Sequence, residues 1–240
     1  MPKNLFQNYI DILELFKIMR HLVIEDFLDS WTLEKVKQNL NNAKDVDWQD
    51  GRKTNLDHEG KINFRLFEKT EVFKNIANLI DITIKNNDNF RSYTSIKYLF
   101  GPQVSKTVSG GKYGKHLDIL YRPDPSDVTK MLRSDLSFTI FLNNPEEYEG
   151  GNLVIENTGT FKLRAGSIIV YPSNEIHEVT KVTSGERYVF VGWIESQIKN
   201  IIHRNLLYDY DKLLSDIVFS EENKIKSEKF RCNLLREFVD

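Results

Sequence analysis

Apolar residues recur with a helical period along the first ninety positions. Tyr9, Ile12, Leu13, Phe16 and Met19 share one stripe, and Leu33, Val36 and Leu40 share a second behind an Asp29 or Ser30 cap. Val72, Phe73, Ile76, Leu79 and Ile80 form a third, in a helix that begins near Thr70. Between the last two, "DVDWQDGRKTNLDHEGK" is polar and rich in turn formers, which predicts a loop. From about residue 91 the chain breaks into β-branched and aromatic runs separated by turn residues: "SYTSIKYLF", "LSFTIFLN", "GNLVIEN", "TFKLRAG", "SIIVYP", "HEVTKVTSG" and "RYVFVGWI". That spacing predicts an all-β sandwich or barrel. After Glu195 the helical period returns, with Leu206, Tyr210, Leu213 and Ile217 on one face. The charge-rich tail "SEENKIKSEKFRCNLLREFVD" keeps Phe230, Leu234 and Phe238 to pack back or to meet a partner, as a monomer or a homodimer. The expected fold is mainly β with flanking helices in a single domain: a helical segment over residues 1–90 packing on the core, a β core over 91–196 and C-terminal helices over 197–240.

Composition narrows the class. A chain of 240 residues with 40% hydrophobic and 28% charged residues folds as a globular domain. Its net charge of −2 provides no global field for nucleic acid or an anionic membrane. Cys232 is the only cysteine, so no intrachain disulfide forms, and a reducing, cytoplasmic setting is expected with Cys232 inert on a tail helix. Asp11, Glu14 and Lys17 interrupt the N-terminal apolar residues, so no signal peptide is expected. No run approaches the roughly 18 to 20 apolar residues that span a bilayer.

The chemistry begins in "YGKHLDILYR". His116 and Asp118 are two apart, so on a strand both side chains leave one face, near enough to share an ion. Chance also supplies such pairs, and an exposed strand pair is the plain alternative. A non-haem iron site built on two histidines and one carboxylate needs a third ligand. His177 is the candidate, after "SIIVYP" and a turn at "SNE"; otherwise it is a polar residue at a strand start. Arg187 alternates with Val189, Val191 and Trp193, which places a guanidinium in an apolar wall. Its partner is either a ligand carboxylate or, internally, Glu175 or Glu178.

These motifs carry a resemblance. "YGKHLD", "RSDLSFTIFLNNPEEYEGGNLVIE", "LRAGSIIVYPSNEIHEVTKVTSGER" and "VGWIESQIKN" resemble, in order and spacing, the iron(II) and 2-oxoglutarate dependent oxygenases of the prolyl 4-hydroxylase superfamily, in particular the PKHD-type hydroxylases. The likeness covers about residues 93–217. It implies a double-stranded β-helix core (a jelly-roll, cupin-like barrel) over residues 91–196. It also implies His116, Asp118 and His177 as iron ligands and Arg187 as partner of the distal carboxylate of 2-oxoglutarate. Tyr98 aligns with a tyrosine that helps bind the cosubstrate, although "GPQVSKTVSGGK" is a longer link than usual to the His-x-Asp strand. Where relatives often place a second such tyrosine this chain has Phe141. Trp193 matches an aromatic near the iron, or is ordinary core.

The activity so implied uses Fe(II), 2-oxoglutarate and O2, with ascorbate (vitamin C) as reductant, to hydroxylate an unactivated C–H bond with release of succinate and CO2. A prolyl or similar residue of a protein or peptide is the expected substrate. The alternatives are a free amino acid or other small molecule, a nucleic-acid demethylase, and a metal-binding barrel without catalysis. "KTVSGGK" and "YRPDPSDVTKMLRS" flank the ligand strand as mouth loops. Tyr113, Tyr121, Arg122 and Arg133 are candidate substrate or supporting residues there, or solvated surface groups. Gly150 and Gly151 predict a tight turn.

Overall fold

The computed structural model describes residues 21–54, 60–124, 127–215, 217, 218 and 220–239. The stripe predicted over residues 9–19 lies outside them. The chain runs through β1 (Leu22–Ile24), α1 (Ser30–Asn41), β2 (Trp48–Asp50), β3 (Lys61–Ile62), β4 (Phe64–Leu66), α2 (Glu71–Asn86) and α3 (Asp88–Thr94). The barrel strands follow as β5 (Ile96–Val108), β6 (Lys112–His116), β7 (Tyr121–Asp124), β8 (Asp127–Arg133), β9 (Leu136–Phe141), β10 (Tyr148–Gly150), β11 (Leu153–Ile155), β12 (Gly159–Phe161), β13 (Ile168–Pro172), β14 (His177–Val179) and β15 (Val182–Ser196). Two helices close the chain, α4 (Ile201–Ser215) and α5 (Glu221–Phe238).

The helix starts follow their caps. Asp29 accepts the Thr32 amide at 2.7 Å ahead of α1, and Thr70 accepts the Phe73 amide at 3.2 Å ahead of α2. The α2 stripe is buried through Phe73, Ile76, Ile80 and Ile84 against one face of the large sheet, whose order is β1-β13-β9-β15-β5-β4-β2 with β10 on β15. Every residue of β9 is buried, since helices cover one face of this sheet and the small sheet β12-β11-β14-β6-β3 covers the other. Phe141, Ile169, Tyr171 and Val189 meet Leu153 and Ile155 between the sheets. Two facing antiparallel sheets with a cavity between them make the double-stranded β-helix.

Four sequence expectations need correction. Within the stretch read as a loop, Trp48–Asp50 is a strand and Lys61 opens another. The segment over 1–90 does not simply pack on the core: β1 pairs with β13, β3 with β6 and β4 with β5, extending both sheets. Strands of two or three residues are too short to display an alternation. Next, "GPQVSKTV" is no link, because β5 continues through it along β15, with Gly101 at φ 61° taking up an irregularity. Finally, α4 buries Arg204 and Leu207, while Leu206 and Leu213 of the predicted stripe are exposed. The tail packs back, Phe230 against Tyr210 and Phe238 stacked on His203. No helix among the described residues is long and apolar enough to cross a membrane.

Candidate active site

Strands β6 and β14 are neighbours in the small sheet, and their register sets His116 opposite His177. Asp118 follows just past the end of β6. One ligand atom from each of the three lies within 4.8 Å of the others, with His177 Nε2 3.7 Å from Asp118 Oδ2. Both rings are held from behind. His116 Nδ1 is 2.8 Å from the Gly114 carbonyl and His177 Nδ1 is 2.9 Å from that of Glu175. A carbonyl only accepts, so each Nδ1 carries a proton, which in the neutral ring leaves the Nε2 lone pair for the centre. Ser137 Oγ donates to Asp118 Oδ2 at 2.6 Å, which leaves Ser173 to donate to Ser137 across 2.8 Å. Two imidazoles and an oriented carboxylate are the donor set that suits non-haem iron(II). Tyr113 stacks on the His116 ring at 3.6 Å, and Tyr171 meets His177 edge-on at 5.2 Å.

The same cavity, about 860 Å³ including its open mouth, is lined by Arg187 together with Thr139, Tyr171, Val189 and Val191. Arg187 is 2% exposed, and its Nε has no hydrogen-bond partner. Burial holds its guanidinium below the usual range, with the Tyr148 and Tyr171 hydroxyls as its polar neighbours. No ion pair reaches it among the described residues, so Glu175 and Glu178 are not its mates. The turn at "EGGN" forms as expected, with Gly150 and Gly151 at φ 69° and 63°. A Cβ on Gly151 would stand 3.0 Å from Arg187 Cδ, so the glycine lets the backbone close against the arginine stem. A buried cation without a counter-charge among the described residues, in the cavity that holds the His-Asp-His cluster, fits the far carboxylate of 2-oxoglutarate.

The remaining candidates separate. Tyr113, Arg122 and Trp193 line the cavity, with the Arg122 guanidinium 3.9 Å over the Trp193 ring. Trp193 is also core, packed with Phe100 and Leu132. Tyr98 does not line it: the residue is 36% exposed, its hydroxyl is 2.8 Å from Lys130 Nζ, and it pairs with Glu195. The β5 positions that do face the cavity are Gln103, Ser105 and Thr107, so the cosubstrate role expected of Tyr98 does not carry over. Tyr121 is 48% exposed and likewise outside the lining. Arg133 is engaged with Asp135 at 2.6 and 2.9 Å and with the Ser196 carbonyl at 3.2 Å, which makes it an anchor and not a substrate contact. Residues 106–108 of the proposed first mouth loop belong to β5, and the second loop is the β7–β8 hairpin.

Sequence reasoning missed Lys61 and Asn63, which enter the lining from the strands hidden in the supposed loop and its edge. Burial pulls the Lys61 ammonium down to about 8, and it rests 4.6 Å over the Tyr113 ring. Ser137, Tyr148 and Tyr171 were also passed over. Serine or tyrosine in a strand run carries no signal of its own until the register shows what it faces.

Residues 102–195 match the 2OG-Fe(II) oxygenase superfamily. A PKHD-type hydroxylase of Prochlorococcus marinus (strain MIT 9215) is 40% identical over 181 residues, covering 73% of this chain and 78% of the relative. A PKHD-type hydroxylase of Hyphomonas neptunium (strain ATCC 15444) is 37% identical over 228 residues, 91% of this chain and 99% of its own. Among solved structures, a Pseudomonas putida prolyl-4-hydroxylase superposes with a TM-score of 0.52 at 16% identity, covering 74% of this chain and 92% of that one. A Trichoplax adhaerens prolyl hydroxylase, in complex with a hypoxia inducible factor oxygen degradation domain peptide fragment, reaches 0.54 at 16% identity, covering 81% and 93%. At that identity the structural likeness speaks for the fold.

Proposed function

Because the chain belongs to the PKHD-type hydroxylases of the 2OG-Fe(II) oxygenase superfamily, we propose that it hydroxylates a prolyl or similar residue of a protein or peptide at an unactivated C–H bond, consuming 2-oxoglutarate and O2 and releasing succinate and CO2. In this reading His116, Asp118 and His177 would hold Fe(II), and Arg187 would take the distal carboxylate of 2-oxoglutarate. When bound, iron would activate O2 as the oxidant of the C–H bond, with 2-oxoglutarate giving up two electrons as it becomes succinate and CO2, and ascorbate would keep the metal reduced.

The protein contributes position and environment. The Nδ1 bonds to Gly114 and Glu175 fix ring orientation and, in the neutral ring, the tautomer that turns Nε2 to a metal. The Ser173–Ser137–Asp118 chain keeps one carboxylate oxygen occupied and the group from turning. Arg187 offers a planar fork that recognises a carboxylate by two parallel hydrogen bonds. Leu153, Val189 and Val191 surround the site with apolar surface, which keeps water from competing for those bonds.

The observation that carries the reading is the buried Arg187, without a counter-charge among the described residues, in the cavity of the His-Asp-His cluster. The test is succinate formation with iron, ascorbate and 2-oxoglutarate across prolyl peptides, free amino acids and single-stranded DNA. Turnover stimulated by a peptide is expected, and Asp118→Ala should abolish it together with metal retention. Stimulation by free amino acids alone moves the substrate to a small molecule, and an Asp118→Ala protein that keeps iron and turnover overturns the metal assignment.

A further inference from the structure

The side chains that line the cavity carry more positive charge than the proposed cofactors consume. In the reading above, on which this inference rests, a divalent ion and Arg187 are balanced by Asp118 and the 2-oxoglutarate dianion. Asp118 is the only carboxylate among the described lining residues, and Arg122 is left over. Arg122 enters from β7 and sets its guanidinium carbon over the Trp193 ring, 3.9 Å from the ring centroid. Its Nε is buried without a hydrogen-bond partner, and no ion pair reaches it among the described residues. Its electrostatic neighbours are Asp118 and the Tyr113 ring that stacks on His116.

We propose that Arg122 is the substrate's carboxylate receptor, so that the accepted substrate carries a carboxylate close to the carbon that is hydroxylated. A cation–π contact with Trp193 uses no N–H donor as a hydrogen bond to a carboxylate would, so the fork of Arg122 stays available for a bidentate contact. Trp193 backs the guanidinium, and half-burial strengthens the contact relative to one at an open surface. Lys61, in the same wall and an electrostatic neighbour of Arg122, adds positive potential on the same side. Leu117 and Ile119, both lining residues and both about half exposed, bracket Asp118 with apolar surface for the rest of the substrate. Neutralising Asp118 does not account for the arginine, because a bound ion takes that charge first. The carboxylate has two possible sources: an acidic side chain beside the target residue, or the α-carboxylate of a free amino acid or chain end.

The test is equilibrium binding to the full chain loaded with Mn(II) and 2-oxoglutarate under nitrogen. The probes are matched pairs: capped prolyl peptides with Glu or Gln at each flanking position, the same peptides with a free or amidated C-terminus, and proline against prolinamide. The acid member of at least one pair should bind about tenfold to a hundredfold tighter, as for a charge-assisted bond. The pair that discriminates identifies the source. Arg122→Gln should erase the difference, and Arg122→Lys, which keeps the charge and loses the fork, should keep only part of it, both with melting curves that report a folded protein. Acid and amide members that behave alike in every pair, or a preference that survives Arg122→Gln, overturn the inference. Failure of the loaded protein to bind 2-oxoglutarate would instead count against the hydroxylase reading.

Discussion

Arg187 carries its charge at a position where neither solvent nor a carboxylate among the described residues offsets it. Such a group costs stability in the empty protein and is retained where a ligand supplies the counter-charge. Arg187→Ala should weaken 2-oxoglutarate binding about tenfold to a hundredfold, the equivalent of about 1.5 to 3 kcal/mol, in a titration of metal-loaded protein. An unchanged affinity would assign the distal carboxylate to another cation, with Lys61 the first to test. Arg187 was legible in the sequence because its strand alternates in plain view. Its isolation was not: Glu175 and Glu178 stood close enough along the chain to be its partners, and only the packing of β14 against β6 shows that they are not.

Among the elements, the β7–β8 hairpin matters most for substrate, since it belongs to neither large sheet and carries Arg122 at the cavity. Leu132 packs it onto Phe100 and Trp193, and Arg133 ties its end to Asp135 and the Ser196 carbonyl while its amide donates to Glu195 at 2.9 Å. Arg133→Ala removes the charge-assisted bonds and leaves Asp135 half-satisfied by the Ser196 amide. It should cost about 1.5 to 3 kcal/mol, a fall in Tm of several degrees, and raise the KM for substrate more than that for 2-oxoglutarate. An equal rise in both would mean that the hairpin supports the whole cavity and not the substrate side alone. The hairpin reads as a loop in the sequence because prolines and charges break its alternation, and its place at the cavity comes from Leu132 packing on Phe100 and Trp193 of other strands.

At the scale of the molecule, the core is one continuous sandwich with helices on its outer face, and α5 is its outermost layer. None of its residues is fully buried, and it is held to α4 by Phe230 on Tyr210, Phe238 on His203 and Arg231 on Asp211. Contacts of that kind are worth little singly, so a chain ending after residue 217 should lose no more than about 2 kcal/mol and keep 2-oxoglutarate binding. Collapse of the cooperative melt in that variant would show that α5 closes the core.

The sequence by itself determined the periods, the capped helix starts, the run of strands and the ordered His116, Asp118, His177 and Arg187. Each rests on spacing within one element or on a motif a few residues long, which local geometry makes legible. Tertiary structure alone decided that Lys61 and Asn63 face the cavity, that Tyr98 does not, that Arg133 is spent on an anchor, and that α4 turns Arg204 and Leu207 inward. Those outcomes depend on strand register and on which surfaces meet across long stretches of chain, and a register shift of one residue, which no local pattern reports, sends a side chain to the opposite face.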